Sequence, residues 1–273
     1  MDERPRLREV LIRHGLDARK SLGQHFLLDE NLTARIVRAA GPLAGRHVIE
    51  VGPGPGGLTR ALLQTDVFEV VAIEIDPRAV AAIAELAVTD ARLRIVEADA
   101  MRLDAASLCA APRQIIANLP YNIGTPLLVG WLRQAAAFER LTLMFQQEVA
   151  ERICADPGSG DYGRLSVLAQ WTCEARIVLH IPPSAFVPPP KVDSAVVVLT
   201  PHTLQPDAAL FAAMERLTSA AFGQRRKMLR GSLKPVGGER LLAAAGIDPT
   251  RRAETLTVAE FERLAAALSA PVE

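Results

Sequence analysis

Cysteine is scarce in this chain, and Cys109, Cys154 and Cys173 stand far apart with no CxxC pair. That spacing argues against a disulfide framework and a cysteine zinc site, and points to reduced thiols in a cytoplasmic protein. The five histidines are equally scattered, without an HxH or HxxxH pair, so no metal is expected. No apolar run approaches the roughly 18 to 20 residues of a membrane span, so no membrane partner is expected either. Met1 to Arg6 are charged with no apolar core behind them, and no signal peptide is expected. Net charge is also missing, with 31 Lys and Arg against 31 Asp and Glu. A polyanion would therefore have to be met by a local patch, not by the total.

Such patches are present. Phe222 to Lys234 carries Arg225, Arg226, Lys227, Arg230 and Lys234 with no acidic residue. The first twenty residues lean the same way through Arg4, Arg6, Arg8, Arg13, Arg19 and Lys20. A solvated face is the plain alternative for each. The remaining composition, 49% apolar and 23% charged, is that of a chain able to bury a sizeable core.

Short apolar runs alternate with helical patterns through the first two thirds. Strands are predicted at 47–51, 70–76, 93–97, 114–117 and 141–145, and two antiparallel strands at 176–180 and 195–200. Helices between most of them make a doubly wound α/β sheet with a hairpin at one edge. Between the last two strands, Pro182 to Ser194 is so rich in proline that a stiff extended loop is expected, with Phe186 its one large aromatic. After Pro201 the composition turns to Ala, Leu, Arg and Glu, and helices are predicted at 207–222, 225–233, 238–245 and 258–268.

Chemistry gathers at the strand ends, where open α/β sheets bind ligands. The first strand runs into Gly52-Pro53-Gly54-Pro55-Gly56-Gly57 and then a helix, a unit that brings backbone amides close to a ligand. Glu74 lies about twenty residues further on, where a carboxylate can accept ribose hydroxyls. Asp99, after the third strand, can accept an adenine amino group. The fourth strand ends in Asn118-Leu119-Pro120-Tyr121, an amide, a backbone carbonyl, a rigid turn and an aromatic face suited to a flat amino-bearing ring. A plain proline turn is its alternative.

The glycine spacing also satisfies a dinucleotide pattern, so an NAD-dependent oxidoreductase is the rival reading. Against it, Pro53 and Pro55 stiffen the loop, Asp99 would be surplus, and no hydride-transfer pair stands out. S-adenosylmethionine fits better, since its adenosine wants both acids and its methionine end carries no phosphate.

The combined pattern resembles the small-subunit rRNA adenine N6,N6-dimethyltransferases of the KsgA type, relatives of the erythromycin-resistance methyltransferases. The residues that carry it are Gly23 to Leu27, Glu50 to Gly54, Ala72 to Asp76, Glu97 to Ala100, Asn118 to Ile123, Phe186 to Ser194 and Ala221 to Lys227. They run in family order across nearly the whole chain. The resemblance implies a Rossmann-like seven-stranded methyltransferase domain at 1–202 and a small all-α, RNA-binding domain at 203–273. It implies S-adenosylmethionine contacts from His25, Leu27, Gly52, Glu74, Asp99 and Asn118, although many relatives have Asn where this chain has His25. Asn118, Leu119, Pro120 and Tyr121 would form the catalytic turn, with Tyr121 and Phe186 stacking on opposite faces of an extruded adenine. Arg225, Arg226, Lys227 and Arg230 would meet RNA phosphates. The expected partner is small-subunit rRNA within the immature 30S particle, and a monomer is expected. A large-subunit methyltransferase of the resistance type and a non-catalytic RNA-binding assembly factor remain as alternatives.

Overall fold

The computed structural model describes residues 5–16, 25–224 and 226–269. In the first part of the chain the elements are α1 (Leu7–Arg13), β1 (Phe26–Leu27), α2 (Glu30–Ala39), β2 (His47–Val51), α3 (Gly57–Leu63), β3 (Glu69–Glu74) and α4 (Pro77–Thr89). They continue with β4 (Leu93–Glu97), β5 (Arg113–Asn118), α5 (Gly124–Leu132), β6 (Arg140–Gln146), α6 (Gln147–Cys154) and α7 (Arg164–Thr172). After these come β7 (Cys173–Ile181), β8 (Phe186–Val187), β9 (Ser194–Pro201), α8 (Ala208–Gly223), α9 (Leu229–Ser232), α10 (Gly238–Ala244) and α11 (Val258–Ser269).

Apolar runs without alternation become strands covered on both faces. Val48, Ile49, Val70, Val71, Ala72, Ile115 and Ile116 are all fully buried. The sheet order is β4-β3-β2-β5-β6-β9-β7. β2 pairs in parallel with both β3 and β5, whereas β9 runs antiparallel to β6. The chain moves outward from β2 to β4 and then returns to place β5 on the other side of β2. That reversal opens a crevice at the carboxyl ends of β2 and β5.

Local chemistry sets the helix starts beside it. Asp76 caps α4 by accepting the Arg78 N–H at 3.1 Å, with Pro77 in the first turn, where its missing N–H costs nothing. Asp29 likewise accepts from Asn31 and Leu32 at the start of α2. At the α3 start Gly54 and Gly56 have φ of 55° and 87°, the left-handed region that disfavours a side chain.

Three expectations change here. The proline-rich segment is not simply an extended loop: Phe186–Val187 pairs antiparallel with Phe26–Leu27 in a two-stranded ladder. The chain also divides differently from a single cut between 202 and 203. Among the described residues, those of 1–150 and 176–200 form one compact unit, and those of 151–175 with 201–273 form the other. In the second unit, Phe222 stacks on Phe261 at 5.6 Å between ring centroids, and Met214, Leu217 and Leu264 are fully buried. The helix predicted over 225–233 is a single turn, Leu229–Ser232, preceded by a turn in which the Lys227 N–H donates to the Gln224 carbonyl.

Candidate active site

A cavity of about 240 Å³ lies at the carboxyl ends of β2, β3 and β5. Its wall includes His25, Leu27, Gly52, Glu74, Asp99, Asn118, Leu119, Pro120 and Tyr121. Segments distant in sequence meet there because each ends a parallel strand or lies against one. Gly54 shows how tightly they meet: a Cβ there would lie 2.8 Å from Cε1 of Phe26, whereas one on Gly52 would make an ordinary contact with Pro120. The α3 start touches the N-terminal ladder as well, and a Cβ on Gly57 would collide with the Leu27 carbonyl oxygen.

Glu74 ends β3 almost fully buried, and its carboxylate is held by three backbone amides. Oε1 accepts from Ile75 at 2.8 Å and Asp76 at 2.9 Å, and Oε2 accepts from Gly54 at 3.2 Å. Burial raises its pKa above the ordinary carboxylate value, and these three amides pull it back. A carboxylate offers about four acceptor positions, so room remains for a ligand hydroxyl. Asp99 stands at the rim, where Oδ1 accepts the Met101 N–H at 2.9 Å and Oδ2 is 3.6 Å from Nε of Arg102. Two acid acceptors with a glycine turn between the first strand and its helix suit a nucleoside whose ribose and base both donate. This acceptor set fits the adenosine of S-adenosylmethionine.

Asn118 ends β5, and its Nδ2 donates to the His25 carbonyl oxygen at 3.1 Å. A carbonyl can only accept, so the amide orientation is determined and Oδ1 is left as the acceptor on the other branch. The backbone of His25, not its side chain, makes this contact. Pro120 closes the turn after it, its carbonyl accepting from both Ile123 and Gly124 at 3.1 Å. Tyr121 is half-buried, and its hydroxyl lies 2.7 Å from Oγ of Ser194. Burial pushes the Tyr121 phenol up, and the Ser194 contact moderates this.

Phe186 departs from its expected position. It is only 2% exposed, sits in the core with Leu27, Ile181 and Val196, and is absent from the cavity wall. Pairing of β8 with β1 turns it inward and leaves its neighbour Val187 40% exposed. An open stacking wall at Phe186 is therefore not what this arrangement provides.

Sequence reasoning assigned no role to two further residues. Ser194, fully buried at the start of β9, anchors the Tyr121 ring. Glu50, on the cavity wall below the glycine turn, is 1% exposed. Desolvation pushes its pKa up to about 8, with Thr59 lowering it and the Glu74 charge raising it. Oε2 of Glu50 and Oγ1 of Thr59 both lack a hydrogen-bond partner among the described residues. An acid within an uninterrupted apolar strand is the signal that marks Glu50.

Of the basic residues expected to meet RNA, Arg226, Lys227 and Arg230 are exposed on the second unit, and Arg225 lies outside the described residues. Gly23 and Gln24 of the N-terminal motif also lie outside them. No helix among the described residues is long and apolar enough to cross a membrane.

Comparison with known proteins decides between the readings of this site. The profile of the family described as ribosomal RNA adenine dimethylase matches residues 15–269. The chain belongs to that family. Ribosomal RNA small subunit methyltransferase A of Gluconobacter oxydans is 65% identical over 96% of this chain and 86% of its own length. The protein of the same name from Rhodospirillum rubrum is 57% identical over 98% of this chain and 94% of its own. Among solved structures, a dimethyladenosine transferase from Plasmodium falciparum superposes with a TM-score of 0.73 at 26% identity, covering 88% of this chain and 96% of that one. The 23S rRNA methyltransferase ErmE superposes at 0.65 with 28% identity, covering 89% and 99%. Membership of the rRNA adenine dimethylases makes the chain an S-adenosylmethionine-dependent methyltransferase and sets the oxidoreductase reading aside.

Proposed function

We propose that this chain dimethylates the N6 amino groups of two adjacent adenines in the 3′-terminal hairpin loop of small-subunit (16S) rRNA. It acts on the immature 30S particle, in the cytoplasm, as a monomer. The observation that carries the reading is the Asn118 amide, whose Nδ2 is occupied by the His25 carbonyl so that Oδ1 is presented as an acceptor. Relatives at 57% and 65% identity named for the small subunit support this substrate over the large subunit, whose ErmE representative stands at 28%.

Glu74 and Asp99 would hold S-adenosylmethionine, which would supply a methyl group made electrophilic by its sulfonium sulfur and leave as the neutral thioether. The remaining work falls to this chain. An adenine amino nitrogen is a poor nucleophile because its lone pair is delocalised into the ring. Asn118 Oδ1 and the Leu119 carbonyl accept its two N–H groups from outside the ring plane, which favours a tetrahedral nitrogen with its lone pair aimed at the methyl. Pro120 fixes the angle between these acceptors, and Tyr121 supports the base face. The methylated nitrogen loses its proton to solvent without a dedicated base, because the protonated product amine is strongly acidic. On the second unit, Arg226, Lys227 and Arg230 meet phosphates, together with Arg225.

Asn118→Ala tests the reading. Calorimetry should still detect cofactor binding, whereas methyl transfer from labelled cofactor to immature small subunits should fall by about 10²- to 10³-fold. Turnover near the wild-type rate refutes the role of Asn118. Preferential labelling of large subunits refutes the substrate.

A further inference from the structure

The two aromatic side chains expected to hold the target base are both in contact with a third ring. The His25 imidazole stacks on Tyr121, with centroids 5.4 Å apart and planes 30° apart. It meets Phe186 edge-on at 6.4 Å and 80°. Its Nδ1 lies 2.9 Å from the Pro188 carbonyl oxygen, which can only accept, so Nδ1 carries the proton. Tyr121 is tied down at its far end through the 2.7 Å contact with buried Ser194.

This geometry leaves room for one ring, not two. A base inserted between Tyr121 and the imidazole would need two stacked spacings, about 9 Å or more at 4.5 Å each. The two rings are 5.4 Å apart. Tyr121 is tied to fully buried Ser194, whereas the imidazole's own tie, to the Pro188 carbonyl, is solvent-exposed, so the imidazole is the ring that gives way and releases that bond. It can do so without disturbing the Asn118 amide, which is bonded to the His25 backbone carbonyl and not to its side chain.

We infer that the His25 imidazole is a stand-in for the target adenine, occupying the stacking face of Tyr121 until the extruded base displaces it. The inference rests on the adenine-methylating function proposed above. It also assigns His25 a share in specificity. A purine presents a larger π-face than an imidazole and displaces it, whereas a pyrimidine gains less from the exchange. Base capture is correspondingly weaker than an open slot would allow, by the strength of the His25–Tyr121 stack.

The test follows the imidazole directly in the full chain. With ¹³C-labelled histidine there are five ring signals to follow, and His25→Asn identifies the one that belongs to His25. In the free protein the Tyr121 ring current should hold that signal upfield, and Tyr121→Ala should release it. Adding the target hairpin with S-adenosylhomocysteine should release it in the wild-type protein too. In parallel, the hairpin with 2-aminopurine at the target position should bind His25→Ala about 2- to 10-fold more tightly than wild type, the worth of one aromatic pair. A His25 signal unmoved in the RNA complex overturns the inference, as does equal affinity of the two proteins. Methyl transfer by the wild-type protein to the unmodified hairpin is scored separately. Transfer with an unmoved His25 signal removes only the stand-in role; no transfer removes the proposed function and the stand-in role with it.

Discussion

Replacing Glu50 with glutamine should change how stability depends on pH, and the size of the change follows from burial. The carboxyl is 1% exposed, and its pKa rises from 4.5 to about 8 with desolvation as the largest cause. At about 1.4 kcal/mol per tenfold change in proton affinity, ionising Glu50 in the folded chain costs at most about 5 kcal/mol more than in the unfolded one. The sign follows from proton counting. Between about pH 4.5 and 8 the folded state keeps a proton that the unfolded state has lost, so stability falls as pH rises through that window. Of the total, about 3 kcal/mol should be gone by neutral pH, because the unfolded carboxyl titrates first. Glutamine keeps the shape, cannot ionise, and should remove most of that slope. A shallower slope of the same sign should persist from Glu74, which burial also raises. Urea unfolding read by tryptophan fluorescence measures this in the right unit. The chain has two tryptophans, Trp131 in the first unit and Trp171 in the second, so a Trp171→Phe background reports on the Glu50 unit alone. Stability curves of the Glu50→Gln variant and the wild-type chain that fall in parallel from about pH 4.5 to 8 would show that Glu50 is ionised in the fold, and refute the reasoning.

Phe186→Ala should act through stability. Removing a ring that is 2% exposed should cost about 3–5 kcal/mol in urea unfolding, and cofactor and RNA binding should weaken together as the β1–β8 ladder loosens. A loss confined to RNA binding, with unfolding unchanged, would restore Phe186 as an open stacking wall. Changing Arg226, Lys227 and Arg230 together to Ala should weaken hairpin binding and reduce the slope of log affinity against log salt by roughly 2 to 3, since each phosphate contact contributes about 0.7 to 0.9. An unchanged slope would assign these three side chains to a solvated face.

What could be read from the sequence, and what could not, depends on the distance over which each feature is decided. β2, β3, β5 and β6 carry apolar runs at their centres, and strands buried on both faces need no other signal, whereas β4 at the sheet edge is only partly buried. The places of Glu74, Asp99 and Asn118 on the cavity wall are legible because each is a polar residue at or just beyond the end of a parallel strand, where topology puts it at a crevice whatever its neighbours. Phe186 fails by the same logic. Its environment is set by a two-residue pairing with Phe26–Leu27, too short to leave a periodic pattern and made between segments far apart in the chain. His25 is a case of the same kind: the family resemblance implies a cofactor contact for it, and only the folded ladder brings its ring onto Tyr121.

The unit boundary is lost for a related reason. Residues 164–172 form a helix in either assignment, and composition says nothing about which core it joins. In the structure Trp171 stacks on Phe211 at 5.9 Å and Tyr162 meets Phe222 edge-on at 6.1 Å, so aromatic partners beyond Pro201 settle the matter. Glu50 is the opposite case, since its signal lies within the strand itself. In an alternating strand an acid reads as solvent-facing, but His47-Val48-Ile49-Glu50-Val51 does not alternate with a polar face, and β2 is central to the sheet. Every side chain on such a strand is enclosed, so an acid there has to be neutral, paired or part of a site. Glu50 lies on the cavity wall beside Glu74, and desolvation, the largest influence on its carboxyl, holds it neutral in the fold up to about pH 8.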